Sequence, residues 1–226
     1  MTPRRAARLW HGTTAAVAVL ALLAQLLIVV RADSVPADAD AQNLAERVFH
    51  FLSYFTVLSN LLVAWTTWRV ARDPEVDGRL WRVLRLDAVV AITVTGLVHW
   101  FLLRPLVTLA GWGFVVDKLL HVVVPLLALV GWLVFGPRPR VTGRVVLLAL
   151  VFPVVWLFGT LLVGSVNGWY PYPFLDVDEQ GAGPVAVACF GVLVLMVGLL
   201  LLGWLLDRRL PGLGHPADAG FVRTGR

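Results

Sequence analysis

The stretch LLHVVVPLLALVGWLVF, Leu119–Phe135, decides the class of this protein. It is apolar throughout except for His121, and with the residues just before it the stretch reaches the roughly 20 residues that a membrane-spanning helix needs. An ionisable side chain at membrane depth is costly, so it usually faces a cavity or a partner and is a candidate for a functional site. Asp117 lies four residues earlier, on the same face of the predicted helix.

The composition of the whole chain is that of an integral membrane protein. Of the 226 residues, 59% are hydrophobic and only 15% are charged, with a mean hydropathy of +0.82, whereas a soluble domain carries about 25% charged residues. We therefore predict an all-α polytopic membrane protein, a six-helix transmembrane bundle in a single domain, followed by a flexible tail over 207–226. The predicted spans are Leu9–Val30, Phe51–Val70, Leu86–Leu103, Val115–Phe135, Arg144–Gly164 and Pro184–Leu206.

The basic residues are sorted between the two sets of loops. Fifteen of the 19 lysines and arginines flank the N-terminus, the second and fourth connections, and the C-terminal tail. The other set of loops holds the remaining four, Arg31, Arg47, Arg104 and Lys118. By the positive-inside rule both termini are expected in the cytoplasm, in a multi-pass cell-membrane protein. The net charge of +5 follows from this sorting and does not indicate a nucleic-acid partner.

The first apolar stretch could be mistaken for a secretory signal. Its length of about 20 residues exceeds the roughly 7–15 of a signal peptide's apolar region, so we interpret it as a retained first span. The chain has no P-loop, glycine-rich dinucleotide turn, CxxC or HExxH motif, and no metal or cofactor is expected. The lone Cys189 reads as a small buried hydrophobic residue.

Polar residues at one depth form the candidate site. The chain enters the predicted second span from the outer side, so Thr56 lies about 8–12 Å below the outer boundary of the membrane at 1.5 Å per residue. His121 lies at a similar depth, and His99 lies slightly shallower. In the predicted second span Ser53, Thr56 and Asn60 form a polar stripe. Such a stripe belongs against other helices, where it either provides interhelical hydrogen bonds or forms part of a functional site.

A threonine hydroxyl becomes a nucleophile when an adjacent base takes its proton, and neutral histidine is the usual base. Spacing permits a Thr56–His121 dyad without requiring it. Asp117 either orients the imidazole or pairs with Lys118 at the interface. Pro125 has no N–H, so the His121 carbonyl loses its helical partner and a kink is expected there.

The last outer loop, 165–183, is rich in aromatic residues and prolines and has no lysine or arginine. It reads either as an aromatic belt at the headgroup level or as a rigid cap stiffened by Pro171 and Pro173. In the helices beside it, close helix approaches are expected at Gly159 with Gly164 and at Gly191 with Gly198.

Three sequence patches are distinctive: Phe55-Thr-Val-Leu-Ser-Asn-Leu-Leu62, His121-Val-Val-Val-Pro125 and Trp169-Tyr-Pro-Tyr-Pro-Phe-Leu-Asp176. Together they resemble a known family, the androgen-induced, FAR-17a-like multispan membrane proteins. The animal members are threonine hydrolases that cleave fatty-acid esters of hydroxy fatty acids with an intramembrane Thr and His. The resemblance implies Thr56 as nucleophile and His121 as base. The abundance of Ala, Val, Leu and Arg is typical of a high-GC bacterial protein, whose substrate can differ.

The resulting hypothesis is a lipid-ester hydrolase whose substrate arrives laterally from the outer leaflet. Asn60, Ser53 or His99 would donate to the oxyanion. The rival is a non-catalytic membrane protein, a small transporter or a scaffold whose polar layer holds the bundle together. A transporter is expected to show repeats and a midplane site, neither of which this sequence shows.

Overall fold

The computed structural model describes residues 2–31, 43–106 and 108–212, and this part of the chain is helical without strands. Ten α-helices follow one another. They are α1 (Pro3–Arg31), α2 (Leu44–Ser53), α3 (Phe55–Arg72), α4 (Arg79–Val98), α5 (Gly111–Lys118), α6 (Val124–Phe135), α7 (Gly143–Ala149), α8 (Val151–Asn167), α9 (Val177–Gln180) and α10 (Ala182–Arg209). π-helical turns extend α4 over His99–Leu103 and join α5 to α6 over Leu119–Val123, and short 3-10 turns cover Arg104–Leu106 and Pro173–Leu175.

The helices combine into five or six potential membrane spans. Five stretches are long and apolar enough to cross a membrane, and a sixth is reached if α2 and α3 count as one span bent by 69°. The five are Pro3–Arg31, Arg79–Leu106, Gly111–Phe135, Gly143–Asn167 and Ala182–Arg209. The all-helical, multispan prediction is confirmed at this level. Most of the helices extend several residues beyond the predicted apolar cores.

The predicted second span, Phe51–Val70, is broken at Tyr54. Tyr54 has extended backbone angles (φ −67°, ψ 128°) and ends α2 while starting α3. Asn43 caps the start of α2 by accepting a hydrogen bond from the Glu46 amide at 3.0 Å. Ser53 therefore belongs to α2, and the prediction that it continues one stripe with Thr56 and Asn60 is wrong.

Helix α4 lies at the centre and packs against α3, α6, α7 and α10. Small buried residues let α1, α3, α4 and α6 approach closely, as at Ala18, Ala64, Ala88 and Ala128. Large apolar side chains point outward, among them Phe101 at 70%, Leu162 at 67% and Val187 at 73% exposure. A surface of this kind fits contact with lipid tails rather than with water.

The arginine-rich segments meet at one end of the bundle, which we call the basic end. Arg4 pairs with Glu75, and Arg140 donates to the Val76 carbonyl at 2.6 Å. Asp207 accepts hydrogen bonds from the Arg140 and Val141 amides at 2.6 and 2.7 Å. The N-terminus of α1, both arginine-rich loops and the end of α10 thus share one end, as the sorting requires. The predicted tail begins inside α10, and its part from residue 213 on, like 32–42 of the first loop, lies outside the described residues.

The glycine predictions are mostly wrong. A Cβ at Gly159, Gly191 or Gly198 would meet nothing within 4 Å in the described part of the chain, so these residues mark no close approach. Gly164 does, because the Tyr170 ring lies directly against it. Gly131, which was not singled out, lets α6 approach Trp10 and His11 of α1.

Candidate active site

Four segments meet at the end opposite the basic end: the first turn of α3, the two π-helical turns, and the loop after α8. Both histidines of the predicted layer lie in the π-helical turns, His99 in one and His121 in the other. Such turns occur frequently at functional sites. The second one ends at Val123, two residues before Pro125, where a kink was expected. Gly96 admits this turn, because a Cβ there would lie 3.0 Å from the His121 carbonyl oxygen.

Thr56, His121 and Asp117 form a hydrogen-bonded chain. Thr56 Oγ lies 3.3 Å from His121 Nε2, and His121 Nδ1 lies 3.0 Å from Asp117 Oδ1. His121 Nδ1 also lies 3.1 Å from the Asp117 backbone carbonyl oxygen. A carbonyl oxygen and a carboxylate only accept hydrogen bonds, so Nδ1 carries the hydrogen and Nε2 of the neutral ring presents its lone pair to Thr56. This is the arrangement of nucleophile, base and orienting acid found in serine hydrolases. Thr56 is 7% exposed, so the hydroxyl is largely shielded from solvent.

Asp117 fulfils both roles that the sequence left open. Its Oδ1 faces His121, and its Oδ2 accepts a hydrogen bond from Lys118 Nζ at 2.7 Å. His99 Nε2 lies 3.3 Å from the same Oδ1, at an angle that leaves it without a well-formed hydrogen bond. The His99 and His121 rings are stacked, 3.8 Å between centroids and 12° between planes. His99 therefore lies behind the His121 ring and beside the Asp117 carboxylate, 7% exposed.

Asn60 and Ser59 hold the first turn of α3 in place. Asn60 Nδ2 donates to the carbonyls of Thr56 and Leu120, at 2.8 and 3.4 Å. Ser59 Oγ donates to the same Thr56 carbonyl at 3.1 Å and lies 3.0 Å from Thr95 Oγ. The Asn60 side chain thus positions the backbone that carries Thr56. Asn60 lines neither of the cavities that border Thr56, and its amide hydrogens bond backbone carbonyls, which argues against the oxyanion role considered for it.

Ser53 does not join the site. Its hydroxyl donates to the Phe49 carbonyl of its own helix at 2.8 Å, and its carbonyl accepts from Trp156 Nε1 at 2.9 Å. The break at Tyr54 turns α2 away from α3 and removes Ser53 from the line of Thr56. The suggestion that Ser53 donates to an oxyanion is therefore wrong.

Tyr172 is a site residue that the sequence reasoning missed. Its hydroxyl lies 3.2 Å from both the backbone nitrogen and the Oγ of Thr56. The sequence offered one signal, the alternation of tyrosine and proline over Tyr170–Pro173 in an otherwise apolar loop. The loop folds inward, with Tyr170, Tyr172 and Leu175 buried. It caps the helices as the second of the two interpretations expected.

Two cavities border Thr56. The main cavity, about 590 Å³, is lined by His121, Asp117, His99, Lys118 and Arg104 together with apolar side chains of α1, α2 and α5. Its volume is within the usual range for small-molecule sites. The second, which we call the apolar cavity, measures about 90 Å³ and lies among α4, α8 and α10. Thr56 and Tyr172 line both.

The His99, Asp117 and His121 side chains are the strongest candidates in the described residues for holding a metal ion, since each offers a ligand atom within 4.8 Å of the others. A nitrogen lone pair lies in the plane of its imidazole ring, and these two rings are stacked nearly parallel. A single ion therefore cannot lie along both lone pairs at the roughly 2.0–2.1 Å of a zinc–nitrogen bond. The ammonium of Lys118 on Asp117 further disfavours a cation. The geometry fits a hydrogen-bonded cluster rather than a metal centre.

This geometry is the basis for assigning a function, because comparison of the chain with known proteins adds nothing to it. No protein-family model, curated protein or solved structure matches the chain. The likeness of the three sequence patches to the FAR-17a-like family stays a prediction.

Proposed function

We propose that this chain is an intramembrane hydrolase of lipid esters of the fatty-acid-ester type, with Thr56 as nucleophile and His121 as general base. The observation that carries the proposal is the chain of contacts from Thr56 Oγ to His121 Nε2 at 3.3 Å and from His121 Nδ1 to Asp117 at 3.0 Å. Its opening onto a cavity of about 590 Å³ gives a substrate room to reach it. The resemblance of the Thr56 and His121 patches to the FAR-17a-like family supports the same two residues.

Each residue has a role in the reaction. His121 Nε2 takes the hydroxyl proton as Thr56 Oγ attacks the ester carbonyl, and Asp117 stabilises the imidazolium that forms. The alcohol leaves with the proton held by His121, and an acyl-threonine remains. A water molecule activated by the same nitrogen then releases the fatty acid.

The location belongs to the proposal as well. The arginine-rich basic end is placed in the cytoplasm of a bacterial cell, so that the site lies in the outer leaflet of the plasma membrane. The ester would enter the main cavity laterally from the lipid, and no nucleic acid or soluble partner is required. The alternative is a non-catalytic transporter or scaffold in which the same contacts only hold helices together.

Purified protein labelled with a fluorophosphonate probe and assayed with a fatty-acid ester tests the proposal. Thr56→Ala and His121→Ala should abolish labelling and hydrolysis, because they remove the nucleophile and the base. Thr67→Ala is the matched control, since Thr67 is a buried threonine on the same helix whose hydroxyl bonds the Val63 carbonyl at 2.6 Å, away from the site. If wild type neither labels nor hydrolyses any ester while every variant folds, the non-catalytic alternative holds.

A further inference from the structure

The loop after α8 is built to bring one tyrosine into the bundle. Gly168, in the left-handed region at φ 73°, ends α8, and the Asn167 side chain accepts a hydrogen bond from the Trp169 amide at 3.0 Å. Leu175, 2% exposed, anchors the far end of the loop in the core. Between these points the prolines on both sides of Tyr172 restrict the backbone. The phenol is thereby held at a fixed place beside Thr56.

Three aromatic rings fix the orientation of the Tyr172 ring. Phe174 is stacked on it at 5.4 Å and 5°, Tyr54 meets it edge-on at 5.6 Å, and Trp156 lies 6.0 Å away. A side chain held in this way loses little further freedom when a substrate binds, so its hydroxyl is preorganised. A tyrosine that only belonged to an aromatic belt at the lipid headgroups would not need a ring held so rigidly.

The break at Tyr54 places Thr56 in the first turn of α3, where backbone N–H groups have no partner within the helix. The Thr56 N–H instead donates to the Tyr172 hydroxyl at 3.2 Å. With the Thr56 hydroxyl donating to His121, the phenol O–H is left to donate to Thr56 Oγ, also at 3.2 Å. Two donors, one amide and one phenol, thus converge beside the nucleophile at the positive end of a helix.

From this convergence we propose that Tyr172 is a catalytic residue, that its hydroxyl and the Thr56 N–H form the oxyanion hole, and that the carbons of the acyl half next to the carbonyl occupy the apolar cavity. The inference rests on the proposed function and names the groups and the subsite that complete it. Of the oxyanion donors considered from the sequence, none is needed. The phenol takes the place assigned there to Asn60, Ser53 or His99.

The electrons and protons balance with the residues present. As the bond from Thr56 Oγ to the carbonyl carbon forms, the C=O π pair moves to oxygen and the Oγ proton goes to His121. The phenol hydrogen bond passes from Oγ, whose lone pair is now shared with carbon, to the oxyanion. The Thr56 N–H hydrogen bond passes from the phenol oxygen to the oxyanion as well. The oxyanion collapses, the carbon–oxygen bond to the alcohol breaks, and the alcohol takes the proton from His121. Tyr172 keeps its own proton, because burial raises the pKa of the phenol.

The lining of the two cavities decides which half of the ester goes where. The leaving alcohol must be within reach of His121, and His121 lines the main cavity but not the apolar one. The alcohol half, and later the water, therefore occupy the main cavity. The carbons of the acyl half next to the carbonyl are left with the apolar cavity, whose walls include Val98 of α4, Leu157 of α8 and Val192 of α10. The chemical class expected is an ester of an apolar carboxylic acid with a larger, more polar alcohol.

The oxyanion assignment is tested with Tyr172→Phe, which keeps the ring and removes the hydroxyl. We expect kcat to fall about 10²–10³-fold, as on loss of one oxyanion donor, with KM changed less than about twofold. Tyr170→Phe, a hydroxyl deletion in the same loop, is the control and should keep wild-type kcat. Tyr172→Phe should also weaken binding of a trifluoromethyl ketone, which forms an oxyanion on Thr56, by the same factor as kcat.

The result decides between the two levels of the proposal. An unchanged kcat in Tyr172→Phe while Thr56→Ala is inactive would overturn the oxyanion role and leave the hydrolase intact. Wild-type inactivity on every ester would overturn the hydrolase itself. If Tyr172→Phe is poorly folded, the ketone is compared on its folded fraction, and equal binding to both proteins overturns the role.

The acyl subsite is tested with Val192→Phe, which fills the apolar cavity. It should raise KM for long-chain acyl esters while leaving acetate esters of the same alcohol nearly unchanged. Val194→Phe is the matched control, because Val194 is 55% exposed on the outer face of the same helix. Equal losses on acetate and long-chain esters, or a changed preference for the alcohol, would overturn the assignment of the acyl half.

Discussion

Replacing Asp117 with asparagine tests whether the carboxylate sets the protonation of the base. In the wild type, one carboxylate oxygen faces His121 Nδ1 at 3.0 Å and the other faces Lys118 Nζ at 2.7 Å. Both neighbours donate hydrogen bonds, and a carboxylate accepts from both. The aspartate thereby keeps the hydrogen of the neutral imidazole on Nδ1 and leaves Nε2 free for Thr56.

An asparagine at 117 has one acceptor and one donor group. Because the Lys118 ammonium has only donors, the amide oxygen turns toward it and the amide NH2 turns toward His121 Nδ1. To accept that bond Nδ1 must lose its hydrogen to Nε2, and with it the hydrogen bond to the backbone carbonyl of residue 117 at 3.1 Å. The molecules in which the hydrogen has moved have no base for Thr56. We expect kcat to fall by up to about 10⁴-fold, the loss for the equivalent change in a Ser-His-Asp triad, because the retained backbone carbonyl still favours the hydrogen on Nδ1. This corresponds to about 5.5 kcal/mol at 1.36 kcal/mol per tenfold change.

The assay is steady-state hydrolysis of a fatty-acid ester by protein in detergent micelles, with the thermal midpoint recorded for each variant. Asp87→Asn is the control, since Asp87 is a buried aspartate of α4 that lines neither cavity. Adding Lys118→Met to Asp117→Asn frees the amide oxygen to face His121 and should restore kcat about tenfold, within the usual range for coupled neighbours. Near-wild-type kcat in Asp117→Asn, or no recovery in the double variant, would refute the tautomer argument.

Two further predictions concern the surroundings of the site and the basic end. Gly96→Ala should lower kcat while the fold persists, because its Cβ would lie 3.0 Å from the His121 carbonyl oxygen. Gly198→Ala is the control and should leave kcat unchanged, because a Cβ there meets nothing within 4 Å in the described residues. Equal kinetics of the two variants would contradict the argument. The hydrogen bonds from Arg82 lower the pKa of Asp77 from the usual 3.8 to about 2, so the pair stabilises the fold above about pH 4 and its contribution is lost as the pH falls through about 2. Asp77→Asn should therefore lower the thermal midpoint at pH 7, by an amount equivalent to at most about 1 kcal/mol for an exposed pair, and the difference should shrink below pH 2. A difference independent of pH would speak against the pair.

The helices were predictable because apolar length is a direct requirement of the bilayer. A backbone in lipid must satisfy its own hydrogen bonds, so an apolar run of about 20 residues leaves the helix as the simplest solution. That Thr56, His99 and His121 lie at one height of the bundle was predictable for the same reason, since the rise per residue is nearly constant. Depth brings residues to one height, but it does not decide which of them face one another. That the His99 and His121 rings stack depends on two π-helical turns that no residue pattern announces.

Tyr172 was out of reach of sequence reasoning for a different reason. It lies 116 positions from Thr56 along the chain, and neither helical periodicity nor depth counting applies to a loop. Its contact with Thr56 depends on the whole loop, from the turn at Gly168 to the anchor at Leu175. The sequence supported a rigid cap, but it did not show that the cap would place the Tyr172 hydroxyl beside Thr56.

The helix break at Tyr54, which the sequence did not predict, has the greatest consequence for the proposed function. Neither Gly nor Pro marks the break, so the sequence predicted a continuous helix in which the Thr56 N–H would bond the Leu52 carbonyl, four residues back. In that helix Thr56 would offer a hydroxyl and nothing more. The break frees the amide, places Thr56 at the positive end of α3 and turns Ser53 away, so in the proposed reaction one residue supplies both the nucleophile and an oxyanion donor. The three departures from regular helix at this end of the bundle, the break and the two π-helical turns, each carry one of Thr56, His99 and His121. A polar layer that only holds the helices together would need none of these departures, since regular helices can hydrogen-bond one another through side chains alone. Their coincidence at one site is what an active site would require.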